Sequence, residues 1–184
     1  MYYTGGLRID EGTRALMIVE DMKKKTLTFV NKSPNKDPEY TAEGNSGFDL
    51  RAWIRPEDED SFPHYNGPTI NVNPLERKMI HTGLYFDIPY NTEIQVRPRS
   101  GMAYKEGLTV INSPGTVDSN YTGECCVLVI NLSNKPVSIT NGDRIAQAVL
   151  VPVFDGGNVK LEKVEELKKE TERGENGFGS SGIK

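Results

Sequence analysis

A series of short runs of β-forming residues, each followed by turn-forming residues, fills the chain from Thr26 to Val153 and constrains its fold more than any other feature. The runs include Leu27 to Val30, Thr69 to Val72, Glu93 to Arg97, Val127 to Leu132 and Ile145 to Val153. Turn residues such as Asn45-Ser46-Gly47 and Asn141-Gly142-Asp143 separate them. Runs of this length and spacing predict an all-β sandwich, barrel or jelly roll, and not alternating β and α units.

The chain has 184 residues, which is enough for one domain with appendages. We predict a β core over residues 26–154, an N-terminal extension over 1–25 and a C-terminal arm over 155–184. The extension has a mixed apolar and charged pattern that fits either a strand or a helix. The arm contains four glycines between Arg173 and Gly182, so we expect it to be flexible, either disordered or ordered by a ligand.

Residues 55–68, inside the predicted core, are acidic and rich in Pro and Gly, which predicts an exposed insertion. A solvated loop is the favoured interpretation, and a loop that binds a regulatory protein partner is the alternative. The basic run Lys23-Lys24-Lys25 is likewise interpreted as solvated surface.

The overall charge restricts the possible partners of the protein. A net charge of −4 and a pI near 5.3 argue against a nucleic-acid surface, because binding to a phosphate backbone needs an excess of Lys and Arg. No apolar stretch approaches the length of a membrane span, which is roughly 18 residues. Residues 1–16 show neither a secretory signal nor a lipidation site. We therefore expect a soluble, cytoplasmic protein.

Cysteine and histidine positions limit the metal chemistry that the sequence predicts. Cys125 and Cys126 are adjacent, so on an extended chain they point to opposite faces and are not expected to form a disulfide. His64 and His81 are the only histidines and the two cysteines lie together, so we expect that the chain cannot assemble a conventional zinc site. The expected metal is Mg²⁺ with oxygen ligands.

Two segments in the first half of the chain combine strand-like sequence with polar side chains. The first, Gly47 to Ala52, contains Asp49, which could equally be an acid that a half-buried strand points to solvent. The second, Arg97 to Ala103, contains Arg99-Ser100-Gly101. Here a guanidinium suited to phosphate oxygens, a hydroxyl and a glycine that lets the backbone approach a ligand occur together. In isolation this segment is as consistent with a capped turn.

The third segment, Asn112 to Glu124, is the most informative. Turn residues flank two short extended pieces, which fits a tight hairpin whose backbone groups read the edge of a base. Asn112, Asp118 and Tyr121 add an amide, a carboxylate and a flat ring. The alternative is an ordinary hairpin with its tyrosine packed against the sheet.

Two further segments complete the set. Asn141 to Gln147 is a turn that enters a buried strand; Gln147 is a potential phosphate donor, and structural pairing is the favoured interpretation of Arg144. Arg173 to Gly182 exposes backbone N–H groups suited to anions and carries Phe178, which could stack on a base. It is not a Walker P-loop, because it lacks Gly-Lys-Ser/Thr.

The five segments, in this order and at these spacings, resemble the five motifs of the homotrimeric dUTPase (deoxyuridine triphosphate nucleotidohydrolase) family. The resemblance covers roughly Leu27 to Gly182. It implies a distorted jelly-roll subunit, and three active sites at subunit interfaces, each closed by the C-terminal arm of a neighbour. It also implies Mg²⁺-assisted hydrolysis of dUTP to dUMP and pyrophosphate, which limits uracil incorporation into DNA and supplies dUMP for dTMP synthesis.

The resemblance also implies a role for individual residues. Asp118 matches the carboxylate that orients and deprotonates the attacking water, Tyr121 the ring under deoxyribose, and Asp49 the acid that contacts Mg²⁺ through water. The positions that match uracil-reading groups are Asn112, Thr116, Val117 and Cys126. The positions that match phosphate ligands in the core are Arg99, Ser100, Gly101 and Gln147. In the arm, Arg173 matches a γ-phosphate contact, Phe178 the ring over uracil, and Gly179 with Ser180 part of the phosphate cover.

The sequence departs from the family pattern at a few positions. Asn176 replaces a usual glycine, Thr122 replaces a frequent arginine, and residues 55–68 and the N-terminal extension exceed compact members. A dCTP deaminase, which shares the fold, is the enzymatic alternative, but it needs a different pattern around Arg99-Ser100-Gly101 and a glutamate base near the third segment. A nucleotide-gated binding module that uses residues 55–68 is the alternative from another class.

Overall fold

The structure is a computed structural model that describes residues 25–58, 60–167, 171–177 and 180. The strands are β1 (Thr28–Asn31), β2 (Phe48–Arg51), β3 (Thr69–Val72), β4 (Arg77–Ile80), β5 (Leu84–Asp87), β6 (Thr92–Pro98), β7 (Leu108–Val110), β8 (Gly115–Val117), β9 (Val127–Asn131), β10 (Val137–Thr140) and β11 (Arg144–Pro152). One short helix, α1 (Ser100–Glu106), lies between β6 and β7. The all-β prediction is therefore confirmed.

All strand pairs are antiparallel, and they form small sheets. A four-stranded sheet has the order β2-β11-β6-β8, a three-stranded sheet the order β4-β9-β7, and β1-β5 and β10-β3 are two-stranded. Strand β11 lies inside the four-stranded sheet, where Gln147 pairs with Asp49 of β2 on one side and with Arg97 of β6 on the other. This register brings the first, second and fourth sequence segments together.

Alternating side chains of the strands form one apolar core. In β6, for example, Ile94 and Val96 are buried while Glu93, Gln95 and Arg97 are partly exposed. Buried residues of β2 to β7 and β9 to β11 join the same cluster. Since side chains alternate between faces of a strand, this burial fixes the register and so fixes which polar residues face outward.

Helix α1 ends at Gly107, which adopts a left-handed conformation with φ of 72°. A Cβ atom at this position would lie 2.8 Å from the Cβ of Ser133, so glycine is needed for the close approach as well as for the conformation. Ser133 is held in turn by Asn131: the N and Oγ of Ser133 donate hydrogen bonds to Asn131 Oδ1 at 2.8 and 2.7 Å. The end of α1 is therefore fixed against the core.

The described part of residues 55–68 is largely exposed, yet it forms polar contacts both within the loop and with neighbouring strands. Arg55 donates from its backbone N and its Nε to Asp58, both at 2.7 Å. Lys78 Nζ donates to Asp60 at 2.8 Å, and Phe62 forms an isolated bridge with Thr69. The binding of a regulatory partner to this insertion stays a prediction.

Contacts divide the chain into two units, Met1–Val153 and Phe154–Lys184. Residues 1–24 lie outside the described residues, and with them the choice between strand and helix for the N-terminal extension. Among the residues that are described, no helix is long and apolar enough to cross a membrane.

Candidate active site

A cleft of about 500 Å³ lies where β2, β11 and the start of α1 meet. Its lining includes five residues that the sequence singled out, namely Asp49, Arg99, Ser100, Gly101 and Gln147. Residues 44–48, which lead into β2, complete much of the wall. The structure thus brings together side chains from three separate sequence segments.

Asp49 organises the basic residues of the cleft. Its Oδ1 accepts a hydrogen bond from Arg99 Nε at 2.8 Å, and its Oδ2 accepts one from Arg144 Nη1 at 3.3 Å. Arg99 Nη1 also donates to the Arg144 carbonyl at 3.1 Å. Two guanidinium groups share one carboxylate, so these three side chains together carry a positive charge that suits an anionic ligand. The structural pairing predicted for Arg144 is observed, with Asp49 as its partner.

Gln147 and Gly101 also line this cleft. Gln147 Nε2 donates to the Pro98 carbonyl at 3.0 Å, which holds its amide beside the turn into α1. A Cβ atom built on Gly101 would meet no atom within 4 Å. The protein itself therefore does not need a glycine at position 101, and the free space there is available to a ligand.

The segment from Asn112 to Glu124 differs from the tight hairpin predicted for it. Only Gly115–Val117 form a strand, β8, and this strand pairs with the edge of β6 instead of with another part of the segment. Asn112 lies over Gly115, where a Cβ atom would approach Asn112 Nδ2 to 3.0 Å. Thr116 and Asp118 are exposed, and Val117 packs partly against the core. An edge position on the sheet replaces the local pairing that we expected.

Tyr121 is held in place by the residues on either side of it. Its N donates to the Asp118 carbonyl at 3.0 Å, and its hydroxyl donates to the Glu124 carbonyl at 3.1 Å. The ring lies against Gly123, because a Cβ atom there would be 2.6 Å from the ring carbon Cζ. The side chain is 48% exposed, so the ring presents a face to solvent.

One chain does not bring Asp118 to the cleft. Ile94 of β6 pairs with Val117, and β6 then continues to Pro98 before Arg99 begins the cleft. Arg99 is five positions after Ile94, and at about 3.3 Å per residue this places Val117 roughly 17 Å from Arg99 along the strand. Asp118, the residue after Val117, continues away from Arg99. Arg99 lies just past the C-terminal end of β6, and Asp118 lies beside the N-terminal part of β6.

A cluster that the sequence did not predict lies beside Tyr121, where His81 Nδ1 is 2.8 Å from Glu124 Oε2 and 3.6 Å from Cys126 Sγ. Burial alone would raise the pKa of Glu124, but hydrogen bonds from the backbone N of Gly83, from His81 and from the backbone N of Thr82 lower it. Burial and the nearby Glu124 raise the pKa of Cys126 to about 11. No local motif could reveal this cluster, because more than 40 residues separate His81 from its partners.

The described residues of the arm form local turns. Arg173 Nε donates to the Asn176 carbonyl at 2.9 Å, and Ser180 N donates to the Gly177 carbonyl at 3.0 Å. Phe178 and Gly179 lie outside the described residues.

An all-β fold with an arginine-bearing cleft suits a protein that binds an anionic small molecule. The chain belongs to the dUTPase family, whose model matches residues 66–182. Deoxyuridine 5'-triphosphate nucleotidohydrolase of Bdellovibrio bacteriovorus is 50% identical over 145 residues, which is 79% of this chain and 87% of that protein. The protein of the same name from Finegoldia magna is 44% identical over 84% of this chain and 96% of its own length.

A solved structure of the Staphylococcus bacteriophage 80alpha dUTPase with dUPNHPP has the same fold. It matches with a TM-score of 0.70 and 26% identity, over 87% of this chain and 100% of that chain. The predicted jelly-roll type of subunit is therefore confirmed.

Proposed function

We propose that the protein hydrolyses dUTP to dUMP and pyrophosphate, with water attacking the α-phosphate. The observation that carries this proposal is the cleft in which Asp49, Arg99, Ser100, Gly101 and Gln147 meet. These residues come from three of the five family motifs, in a chain that belongs to the dUTPase family.

The two arginines held by Asp49 address the main barrier to this reaction. A nucleoside triphosphate carries about four negative charges near neutral pH, and these repel an incoming nucleophile until they are compensated. Arg99 and Arg144 supply two positive charges, and Asp49 fixes both by its carboxylate oxygens. Ser100 and Gln147 add uncharged donors beside them. We assign the triphosphate to this cleft.

The nucleoside is assigned to the exposed segment around β8. Backbone groups of Thr116, Val117 and Cys126 and the amide of Asn112 would read uracil, and the ring of Tyr121 would pack against deoxyribose and leave no space for a 2′-hydroxyl. Cytosine would leave buried donors or acceptors unpaired in such a site, a mismatch that can reject a substrate by several orders of magnitude. Asp118 would orient and deprotonate the attacking water.

Mg²⁺ is the proposed cofactor, and the donor set fits an indirect contact. Both Asp49 oxygens already accept hydrogen bonds from arginine, so this carboxylate would reach the ion most easily through a water molecule. Mg²⁺ keeps several waters and binds readily to substrate phosphates, where it would neutralise charge and orient the triphosphate. Asp49 would hold both the arginines and the metal-bound water in place.

We infer that the complete site forms between subunits of a homotrimer. This inference is supported by the roughly 17 Å of strand between Arg99 and the neighbourhood of Asp118, which one chain cannot close without unpairing β6 from β8. The arm, with Arg173, Phe178, Gly179 and Ser180, is proposed to cover a neighbour's site. Deletion of residues 173–184 is then expected to leave a folded trimer that has lost most of its activity.

Both cysteines are free thiols, which supports the proposed cytoplasmic location.

The decisive experiment measures pyrophosphate release from dUTP, dCTP, dTTP and UTP, each with and without Mg²⁺. We expect release from dUTP alone, and only with the metal. An Asp118→Asn variant should bind dUTP but lose at least about 100-fold in kcat, as removal of a general base predicts. Comparable release from all four nucleotides, or deamination of dCTP, would contradict the proposal.

A further inference from the structure

The cluster of His81, Glu124 and Cys126 has the composition of a transition-metal site. His81 directly follows β4, and Cys126 directly precedes β9, the neighbour of β4 in the sheet. Their potential ligand atoms, Nδ1, Oε2 and Sγ, all lie within 4.8 Å of one another, and the three residues are half-buried. The set lies outside the cleft assigned to the triphosphate.

One distance in this cluster matches that between ligands of tetrahedral zinc, and a second is shorter. Zn–N bonds of about 2.0–2.1 Å and Zn–S bonds of about 2.3 Å place the nitrogen and the sulfur about 3.6 Å apart. The observed separation of His81 Nδ1 and Cys126 Sγ is 3.6 Å. The hydrogen bond between His81 Nδ1 and Glu124 Oε2 is 2.8 Å, so these two atoms would separate by about 0.5 Å to admit the ion.

Backbone hydrogen bonds orient the carboxylate for this role. Glu124 Oε1 accepts hydrogen bonds from the backbone N of Thr82 at 3.0 Å and of Gly83 at 2.7 Å. These bonds leave Oε2 directed at His81. Such outer contacts fix the orientation of ligands in metal sites and contribute to affinity.

The charge of the surroundings also fits a divalent cation. Thiolate and carboxylate together would supply two negative charges, which balance the charge of Zn²⁺. Arg55 is the nearby cation, and it is engaged by Asp58 through its Nε at 2.7 Å and its Nη2 at 2.6 Å. The arginine is thus neutralised by its own partner.

We propose that His81, Glu124 and Cys126 bind one Zn²⁺ ion per chain, with water as the fourth ligand. Formation of the Zn–S bond releases the thiol proton to solvent. Because the Glu124 carbonyl accepts the hydrogen bond from the Tyr121 hydroxyl, the ion would also stabilise the end of the segment that carries Tyr121. The zinc ligands are side-chain atoms, whereas the group of Cys126 assigned to uracil is its backbone.

The test titrates Zn²⁺ into chelator-treated, full-length protein by calorimetry, in a constant excess of Mg²⁺ that occupies sites with oxygen ligands. We expect one Zn²⁺ ion per chain and a rise in Tm with Zn²⁺ concentration. Cys126→Ser and His81→Gln should each weaken binding by at least about 10-fold, since even loss of an outer-sphere partner costs that much. His64→Gln, at the only other histidine, should bind as the wild type does.

Cobalt gives a second readout that needs no activity, with Cys126→Ser first shown to be folded by circular dichroism. Co²⁺ bound to the wild-type chain should show a thiolate charge-transfer band, and this band should be absent in Cys126→Ser. Absence of the band from the wild type, or equal Zn²⁺ affinity in the wild type and Cys126→Ser, would overturn the proposal. A loss of binding in His64→Gln would place the ion elsewhere and would overturn it too.

Discussion

Asp49 Oδ1 accepts a hydrogen bond from Arg99 Nε at 2.8 Å and so connects β2 to the residue that precedes α1. Because Arg99 also donates to the Arg144 carbonyl at 3.1 Å, two contacts fix the orientation of its guanidinium. A side chain fixed in this way loses little further freedom when an anion binds, which favours affinity.

Arg99→Lys removes this orientation but keeps the positive charge. One ammonium group cannot reproduce the planar, two-sided contacts of the guanidinium, so we expect KM for dUTP to rise by at least about 10-fold, the equivalent of one charged hydrogen bond. The free energy of unfolding should change by less than about 1 kcal/mol, because the pair is partly exposed. Steady-state kinetics and thermal denaturation measure both effects. Arg97→Lys is the matched control, since Arg97 bonds to Gln95 and does not line this cleft.

Mixed trimers test whether Asp118 and Arg99 act from different chains. Asp118→Asn and Arg99→Gln should each be nearly inactive alone. After the two proteins are unfolded and refolded together, random assembly around a ring should restore roughly a quarter of the sites. Activity that stays at the level of the separate variants, in trimers shown to be mixed, would mean that one chain supplies both residues.

Gly101→Ala tests whether the glycine is required for folding or for binding a ligand. The added Cβ atom meets no protein atom within 4 Å, and alanine favours a helix over glycine by up to about 1 kcal/mol, so Tm should be unchanged or higher. Since the methyl group would occupy space assigned to phosphate, kcat/KM for dUTP should fall at least about 10-fold. Gly156→Ala, whose Cβ atom is equally free, should leave both quantities unchanged. Full activity of Gly101→Ala would remove this glycine from the site.

Gly123→Ala tests the role assigned to the Tyr121 ring. A Cβ atom on Gly123 would lie 2.6 Å from the ring carbon Cζ, so the ring would have to move. We expect the preference for dUTP over UTP, measured as the ratio of kcat/KM values, to fall by at least about 10-fold, the lower end of the discrimination that a shaped pocket provides. Tyr121→Phe keeps the ring and should keep most of the preference. An unchanged preference in Gly123→Ala would be evidence against the packing of Tyr121 under the sugar.

Asp58 should make the free energy of unfolding depend on pH in the acidic range. Burial alone would raise its pKa, but hydrogen bonds from the side chain and backbone of Arg55 outweigh burial and lower it. A carboxyl group with a lowered pKa stabilises the folded state at neutral pH, and this contribution is lost as the pH falls below about 4. We therefore expect Asp58→Asn to lower Tm by about 2–4 °C at pH 7, for a loss of about 1 kcal/mol, and to have a smaller effect at pH 3 than at pH 7.

Thermal denaturation of both proteins between pH 3 and 7 measures this difference. Glu57→Gln, at an exposed neighbouring position, is the control and should not change the pH profile. A Tm difference between wild type and Asp58→Asn that is constant across this range would contradict the assignment.

The sequence predicted the strands well because each has a local signature. Glu93 to Arg97 was expected to be a strand and forms most of β6, and Ile145 to Val153 overlaps β11. Helix α1 was missed, since its seven residues show no apolar periodicity and none of them is buried. Its one local signal was Gly107, which ends the helix.

Residues that meet through the fold were harder to predict. The five-motif resemblance placed Asp49, Arg99 and Gln147 in one site, and the pairing of β11 with both β2 and β6 brings them to one cleft. His81 and Cys126, in contrast, are adjacent only because β4 pairs with β9, and a pattern within one segment carries no information about such a contact. For the same reason, the pairing of β8 with β6 was not predicted.

The length of strand β6 bears on how the activity would depend on protein concentration. If the site forms between subunits as proposed, the spacing that β6 sets between Arg99 and the region of Asp118 would leave a folded solitary copy without a working site, and catalysis would begin only when copies encounter one another. Catalytic output would therefore follow the protein's own concentration more steeply than linearly while the copies are scarce. Simple dilution would switch such an enzyme off without denaturing it.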